Sequence, residues 1–222
     1  MAPPAKRQWP DGYDRPVVSE LVSTEATSAE TTSAETWADG VYRCLKHHKV
    51  GQLSYVPDAG LSELIRCCQA DTELRTVPLS TEQEGVALAA GAWLGGQRSA
   101  VLMQSSGVGN CVNMLSLWRN GRIPALLLVT MRGQFGEANP WQVPMGQITA
   151  DVLRLCGLVT FEVDDASRIV ETTEAAATMA FAGGTACAVT IGQRAIGAKA
   201  FTAAGADTAA GTDTAAGAAV AP

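Results

Sequence analysis

The chain has 222 residues, of which 47% are hydrophobic and 17% are charged, enough to bury a sizeable core in one domain. Its net charge of −6 and the lack of a basic stripe argue against nucleic acid or an anionic membrane surface as a partner. No apolar run reaches the ~18 residues of a membrane span, and the polar, Pro-rich segment 1–10 lacks the apolar core of a signal peptide.

The cysteines and histidines indicate in which compartment the protein resides and which kinds of catalytic or metal site it can form. The six cysteines are scattered, mostly in apolar segments, and no pair has the CxxC spacing of a zinc or redox motif. This pattern predicts reduced, mostly buried thiols in a cytoplasmic protein. The two histidines, His47 and His48, are adjacent, which argues against a His-based triad or a His metal cluster. We therefore predict no metal ligands in this chain.

Two segments are poor in large apolar side chains. Residues 23–36 contain a near repeat of Thr-Ser-Ala-Glu-Thr, and residues 202–219 repeat Thr-Ala-Ala-Gly. Such segments bury too little surface to offset the entropy of ordering them. We predict a disordered N-terminal extension at 1–36, a folded domain at 37–197 and a low-complexity Ala/Gly/Thr tail at 198–222.

Strand and helix patterns alternate through the folded domain. Predicted strands span 52–56, 74–77, 100–104, 124–130, 159–163 and 186–191, and predicted helices span 37–49, 61–70, 81–95, 110–119, 147–156 and 165–182. This alternation predicts an α/β fold, a doubly wound and mostly parallel six-stranded sheet with helices on both faces. Ligands bind such sheets at the carboxyl ends of the strands.

The helix that follows the second strand has a marked start. Ser80 is the candidate N-cap, Gln83 has the capping-box spacing from it, and Glu82 lies in the first turn, where the helix dipole favours a carboxylate. Small residues follow, which suits a capped helix packed tightly on a sheet. Glu82 with Ala90-Gly91 also resembles the signature of the pyrimidine-binding (Pyr) domain of thiamine-diphosphate enzymes. The resemblance implies that Glu82 hydrogen-bonds the aminopyrimidine ring of the cofactor and acts as the catalytic acid.

The segment after the third strand, 104–110, is predicted to be a glycine-containing loop. Its two glycines allow a sharp turn, and the helix after it offers free N–H groups to a polar or anionic ligand. A tight strand-to-helix turn without a ligand explains it equally well. The segment resembles the Ser-Gly-Pro-Gly…Asn turn of Pyr domains in acetolactate-synthase-like enzymes, with valine in place of proline. That resemblance implies cofactor-binding roles for Ser106, Gly107, Val108, Asn110 and Asn113.

The segment 131–146 is predicted to be an unusually long loop, and such loops are often functional. Arg132 follows a strand end, where it can meet an anion, and Gln134, Asn139 and Gln142 are candidate substrate or interface residues. The apolar residues at 140–145 suit a lid or a partner surface; the alternative is a structural loop with Trp141 tucked into its own domain.

The run from Asn139 to Gly146, Asn-Pro-x-Gln-x-Pro-Met-Gly, resembles the alpha subunits of sulfopyruvate decarboxylases. Phosphonopyruvate decarboxylases also carry an Arg-Gly loop here, typically with a His after the Gln, where this chain has Val143.

The resemblance covers roughly residues 37–195 and implies half of an active site. The diphosphate- and Mg²⁺-binding (PP) domain of the family carries Gly-Asp-Gly followed by Asn, and this chain has no such pair. The resemblance therefore implies a hetero-oligomer with a PP-domain beta subunit that holds Mg²⁺, with thiamine diphosphate shared between the subunits. It further implies decarboxylation of an anionic 3-substituted pyruvate, sulfopyruvate to sulfoacetaldehyde and CO₂. The alternatives are a subunit for phosphonopyruvate or another 2-oxo acid, or a non-enzymatic protein that kept the fold.

Overall fold

The structure is a computed structural model and describes residues 36–197. The predicted disordered segments, apart from Thr36, lie outside the described residues. Thr36, which the sequence placed in the N-terminal extension, is the N-cap of the first helix and forms a capping box with Asp39. The ordered domain therefore begins at least one residue earlier than predicted.

The six strands form one sheet in which all neighbouring strands are parallel. The strands are β1 (Val50–Tyr55), β2 (Arg75–Pro78), β3 (Arg98–Gln104), β4 (Ala125–Thr130), β5 (Val159–Val163) and β6 (Ala186–Ile191), in the order β2-β1-β3-β4-β6-β5. Every residue of β4 and β6 is buried, as expected for strands that are covered by helices on both faces. The predicted doubly wound α/β fold is confirmed, with a wholly parallel sheet.

The helices are α1 (Trp37–His47), α2 (Ser62–Ala70), α3 (Glu82–Leu94), α4 (Ser105–Cys111), α5 (Ser116–Gly121), α6 (Val143–Leu155), α7 (Ile169–Phe181) and α8 (Gln193–Ile196). They divide into two layers. Successive residues of β4 belong to different core clusters, Leu126 and Leu128 to one and Leu127 and Val129 to the other, so the clusters lie on opposite faces of the sheet. Helices α1, α2 and α7 contribute to the first cluster, and α3 to α6 to the second.

Two predicted loops contain helix. The segment 105–109 is the first part of α4, and the predicted helix 110–119 is broken between Cys111 and Ser116. The predicted loop 131–146 ends early, because a 3₁₀ turn spans Pro140–Gln142 and α6 begins at Val143. Pro144 occupies the second position of α6, where the missing N–H costs no helical hydrogen bond. Prolines that suggested a loop therefore mark a helix start.

The cap of α3 is one residue later than predicted. Thr81, not Ser80, is the N-cap, and Glu84, not Gln83, closes the capping box. The Glu84 carboxylate accepts hydrogen bonds from the N–H groups of Ser80 (2.9 Å) and Thr81 (3.4 Å). This register makes Glu82 the first residue of the helix.

Most of the cysteines are buried, as the sequence predicts. All six cysteines are free, and four of them are buried. Across residues 36–197, none of the helices has the length and apolarity needed to cross a membrane.

Candidate active site

Glu82 lies just past the carboxyl end of β2, as the first residue of α3. Its side chain is half-buried, and its Oε2 accepts a hydrogen bond from Asn110 Nδ2 at 2.9 Å. The start of a helix favours a carboxylate because the unpaired N–H groups there carry partial positive charge. The carboxyl group is therefore fixed at a surface that a ligand can reach.

Gly107 is what allows α4 to approach this carboxyl group. A Cβ built on Gly107 would lie 2.6 Å from Glu82 Oε1 and 2.7 Å from its Cδ, closer than real side chains come. Any larger residue would displace Glu82 or push the two helices apart. The glycine that suggested a loop in the sequence is thus a contact point between α3 and α4.

The other predicted cofactor residues lie near this contact, and they differ from one another in burial and hydrogen bonding. Ser106 Oγ donates to Gln104 Oε1 (2.9 Å). The Val108 side chain is fully buried and anchors α4 in the core. Asn113 is exposed in the turn between α4 and α5. The structure brings Glu82, Gly107 and Asn110 into direct contact, with Ser106 on the same short helix.

Asp58 connects the carboxyl ends of three strands, and the sequence did not single it out. Its Oδ1 accepts a hydrogen bond from Gln104 Nε2 (2.8 Å), and its Oδ2 accepts from Thr130 Oγ1 and Gly60 N (both 2.9 Å). Through Gln104 the network reaches Ser106 in the first turn of α4. It therefore holds α4 in the position that meets Glu82. The available signal was an aspartate two residues after a predicted strand.

Arg132 is held by Glu137 rather than exposed to solvent. Its Nε and Nη2 lie 2.5 and 2.6 Å from the two carboxylate oxygens of Glu137, and the side chains are 10% and 3% exposed. Hydrogen bonds from Arg132 lower the pKa of Glu137 from an ordinary 4.5 to about 2. The Arg132 N–H also donates to Ser105 Oγ at 3.1 Å. The charge of this arginine is balanced inside the protein.

Gln193, in α8, completes this arrangement and was missed in the sequence. Its Nε2 donates to Glu137 Oε2 (3.1 Å), and its Oε1 accepts from the N–H groups of Gln134 and Phe135 (2.8 and 3.0 Å). The backbone of Gln134 is therefore fixed while its side chain is exposed. Nothing near Gln193 in the sequence indicated this role, because its partners lie more than 50 residues earlier.

The remaining loop candidates lie at the start of α6. Asn139 Oδ1 accepts from the Trp141 N–H (3.1 Å), which caps the 3₁₀ turn. Gln142 Oε1 is buried and has no hydrogen-bond partner among the described residues. Trp141 is 88% exposed, so the alternative in which it tucks into its own domain is wrong.

Comparison with known proteins identifies the family. Residues 35–149 match the family model described as thiamine pyrophosphate enzyme, N-terminal TPP binding domain. The chain belongs to this family. The resemblance to a Pyr domain is thereby confirmed, and the match includes the contact between Glu82 and α4.

Curated relatives of this thiamine pyrophosphate family member are decarboxylases. The sulfopyruvate decarboxylase subunit alpha of Methanocaldococcus jannaschii is 35% identical over 123 residues, which cover 55% of this chain and 73% of the relative. The corresponding subunit of Methanothermobacter thermautotrophicus is 40% identical over 119 residues, 53% of this chain and 72% of that one. The phosphonopyruvate decarboxylase of Streptomyces viridochromogenes is 40% identical over 123 residues, which are 54% of this chain but 31% of that protein.

A solved structure supports the fold. A 2-oxoglutarate:ferredoxin oxidoreductase from Magnetococcus marinus superposes with a TM-score of 0.61 at 15% identity. The superposition covers 73% of this chain and 29% of that one. At this identity the match concerns the fold alone.

The groups around Glu82 suit the ring end of thiamine diphosphate better than its diphosphate. They are a carboxylate and a carboxamide beside a glycine-lined contact, and such groups hydrogen-bond a neutral aminopyrimidine. A diphosphate needs cations or a metal ion, whereas Arg132, at this end of the sheet, is paired with Glu137. The residues present therefore fit one half of the cofactor.

Proposed function

We propose that this chain is the pyrimidine-binding alpha subunit of a two-subunit thiamine-diphosphate-dependent decarboxylase, and that its substrate is sulfopyruvate. The products would be sulfoacetaldehyde and CO₂. The observation that carries the proposal is the Glu82 carboxyl group, fixed by Asn110 and Gly107 at an open surface. Support for the substrate comes from the alpha subunits named above, nearly three quarters of whose length this chain matches.

Glu82 is the residue to which we assign proton transfer. Thiamine diphosphate, when bound, supplies the nucleophilic carbon and the electron sink for breaking the bond between the carboxyl and keto carbons. Glu82 would exchange a proton with the aminopyrimidine ring, which is general acid–base catalysis. Asn110 holds Oε2, and the absence of a side chain at Gly107 leaves the space that Oε1 occupies. The carboxyl group is thus positioned before a ligand binds.

The beta subunit would cover the exposed surface beside α4. Met145 of α6 lies 3.2 Å (Sδ) from the position of a Cβ on Gly109, so the start of α6 packs against α4. Trp141 and Val143, at that start, are 88% and 39% exposed. Exposed apolar groups beside an incomplete site are typical of a protein interface. We assign the diphosphate and Mg²⁺ to this partner, because the Gly-Asp-Gly…Asn pattern is missing from the sequence.

For the substrate-facing residues, we retain Gln134, Asn139 and Gln142 as candidates in the assembled complex. The buried, unpaired Oε1 of Gln142 is the group that most needs a donor. Arg132 is a positioning residue in this proposal, since Glu137 occupies two of its nitrogens. A substrate anion would then meet the N–H groups of the loop or cations of the partner.

A second candidate substrate is phosphonopyruvate, favoured by the 40% identity to a phosphonopyruvate decarboxylase. That relative is about three times as long as the matched segment, since the match covers 31% of it. Phosphonopyruvate decarboxylases typically have a His after the Gln of this loop. This chain has Val143 there, which argues for sulfopyruvate.

Co-expression with a subunit that carries the Gly-Asp-Gly…Asn motif tests the proposal. We expect the purified complex, with thiamine diphosphate and Mg²⁺, to release CO₂ from sulfopyruvate with a higher kcat/KM than from phosphonopyruvate or pyruvate. A higher kcat/KM for phosphonopyruvate would favour the second candidate. A stable complex that decarboxylates none of the three acids would instead support a binding or scaffold role.

A further inference from the structure

A cysteine, a histidine and a glutamate lie close together on the other face of the sheet. Cys44 and His48 are four residues apart at the end of α1, and the His48 N–H donates to the Cys44 carbonyl at 3.0 Å, which keeps one helical turn between them. Residues at this spacing project from the same side of a helix. Glu174 faces them from α7. Cys44 belongs to the core cluster of α1, α2 and α7, on the sheet face opposite α3 and α4.

The three side chains converge on one point. The Sγ of Cys44, a ring nitrogen of His48 and one Glu174 carboxylate oxygen all lie within 4.8 Å of one another. His48 Nε2 and Glu174 Oε1 are 2.7 Å apart, so this pair is already aligned. The side chain of His48 is 11% exposed and that of Glu174 is 43% exposed. The cluster is therefore buried on the α1 side and open to solvent beside Glu174.

We propose that Cys44, His48 and Glu174 form a Zn²⁺ site that ties α1 to α7. Thiolate, imidazole and carboxylate are the ligands that zinc takes in proteins, at about 2.0–2.3 Å in tetrahedral geometry. Those bond lengths place neighbouring ligand atoms about 3.3–3.8 Å apart. The cluster would reach this spacing by small shifts, and the half-exposed Glu174 would make the largest of them.

The ligand set selects among cations. A thiolate disfavours Mg²⁺ and Ca²⁺, which take oxygen ligands, and favours zinc and its late first-row neighbours. Binding would displace the thiol proton of Cys44 to solvent, and the proton between His48 Nε2 and Glu174 would move to Nδ1 of the same ring, so no other reactant is required. His47 lies beside the cluster, with its Nε2 4.0 Å from Glu174 Oε1. A water molecule would fill the fourth position. Three protein ligands with one open position is a recognised zinc arrangement.

The expected effect is on stability rather than on decarboxylation. A cation that binds the folded chain and not the unfolded chain stabilises the fold in proportion to its saturation. The site does not depend on the proposed function, because its residues lie on the face of the sheet away from Glu82. The proposal departs from the expectation, based on adjacent histidines alone, that the chain supplies no metal ligands. The sequence did not point to Glu174 as a ligand, because Glu174 lies 126 residues from His48.

Cobalt titration of the chelator-treated full chain tests the site, because Co²⁺ bonded to a thiolate has a characteristic near-ultraviolet charge-transfer absorption. We expect one Co²⁺ per chain with that absorption, displacement by Zn²⁺, and a higher Tm with Zn²⁺ than without. Cys44→Ser should abolish the absorption. Cys156→Ser, which removes a half-buried thiol on the α6 side, should leave it intact.

A third variant covers the case in which Cys44→Ser does not fold. Glu174→Gln changes a half-exposed side chain, keeps its size and should fold. It should weaken Zn²⁺ binding by at least the roughly 10- to 100-fold that loss of an outer-sphere partner costs. The proposal is overturned if the wild-type chain shows no thiolate–cobalt absorption, if Cys156→Ser loses it, or if Glu174→Gln binds Zn²⁺ as tightly as the wild type.

Discussion

At the scale of single residues, the pairing of Arg132 with Glu137 changes what a substitution should do. Removal of one partner from a buried ion pair leaves the other charge uncompensated and costs about 3–5 kcal/mol. Glu137 is 3% exposed, so Arg132→Ala should lower the Tm by roughly 10 °C, at about 2–4 °C per kcal/mol for a domain of this size. Calorimetric unfolding of the chain measures this.

The double variant Arg132→Ala/Glu137→Ala is the control, because it removes both charges and should recover part of the lost stability. A different outcome would restore the sequence-based hypothesis that Arg132 faces the substrate anion. That outcome is an Arg132→Ala variant with wild-type Tm and a kcat/KM lowered about 10- to 100-fold, the cost of losing one charge-assisted hydrogen bond.

The same pair makes stability depend on pH in a defined window. The folded-state pKa of Glu137 is about 2 and its ordinary value is 4.5, because Arg132 stabilises the carboxylate. A lowered folded-state pKa contributes stability that is complete above the unfolded-state value and is lost as the pH falls. We expect up to about 3 kcal/mol of unfolding free energy to be lost between pH 4.5 and 2, at 1.36 kcal/mol per pKa unit.

Denaturant unfolding at a series of pH values checks this window. The double variant Arg132→Ala/Glu137→Ala should show a shallower loss between pH 4.5 and 2 than the wild type. Equal slopes would mean that other carboxylates carry the acid sensitivity.

The sequence predicted which residues belong to the candidate site better than it predicted which side chains they contact. Glu82, the glycine at 107 and the Arg132 loop were evident from local patterns. Asp58, Glu137 and Gln193 were not assigned roles, because their hydrogen bonds reach side chains or strand ends brought together only by the sheet. Arg132 in particular was given an external partner when an internal one lies five residues further on.

At the scale of secondary structure elements, one glycine of α3 and one of α4 make a matched pair. Gly91 lies mid-helix, and a Cβ added there meets nothing within 4 Å. Gly91→Ala should therefore stabilise the isolated chain by about 0.4–1 kcal/mol, mainly by restricting the unfolded state. Thermal unfolding should show a Tm raised by about 1–4 °C.

Gly107→Ala is the opposite case, because its Cβ would overlap the Glu82 side chain. We expect no gain in Tm from it. A stabilising Gly107→Ala, or a destabilising Gly91→Ala, would contradict the described packing of α3 against α4.

Strands were easier to predict than helix starts. The bounds of β5 and β6 agree with the sequence to the residue. Alternation of apolar and polar residues marks β5, an edge strand, and a buried run flanked by glycines marks β6. The starts of α4 and α6 were assigned to loops, since Gly107, Gly109 and Pro144 are residues typical of turns. In the structure these residues serve close packing and a helix start, which local propensity does not distinguish from a turn.

At the scale of the whole molecule, the proposal makes the chain dependent on a partner. The groups around Glu82 fit the ring end of thiamine diphosphate, and most affinity for such a cofactor comes from its charged diphosphate and Mg²⁺. Isothermal titration of the purified chain with thiamine diphosphate and Mg²⁺ should therefore show binding weaker than micromolar. Micromolar or tighter binding to the chain alone would contradict the proposal that this chain carries only half of the cofactor site.

The most direct test of the account compares Glu82→Gln with Glu84→Gln in the assembled complex with the beta subunit. Glu84 is the matched control, because it lies about 200° around the helix from Glu82 at 3.6 residues per turn. It caps α3, a role that Gln also fills, so Glu84→Gln should fold and turn over normally. Both variants should bind thiamine diphosphate, whose affinity the partner dominates.

The measurement is the rate of CO₂ release from sulfopyruvate, together with exchange of the C2 proton of bound thiamine diphosphate. We predict that Glu82→Gln lowers both rates by about 10²–10⁴, the usual contribution of a positioned general acid–base. Wild-type rates in Glu82→Gln, or loss of activity in Glu84→Gln instead, would contradict the assignment of proton transfer to Glu82.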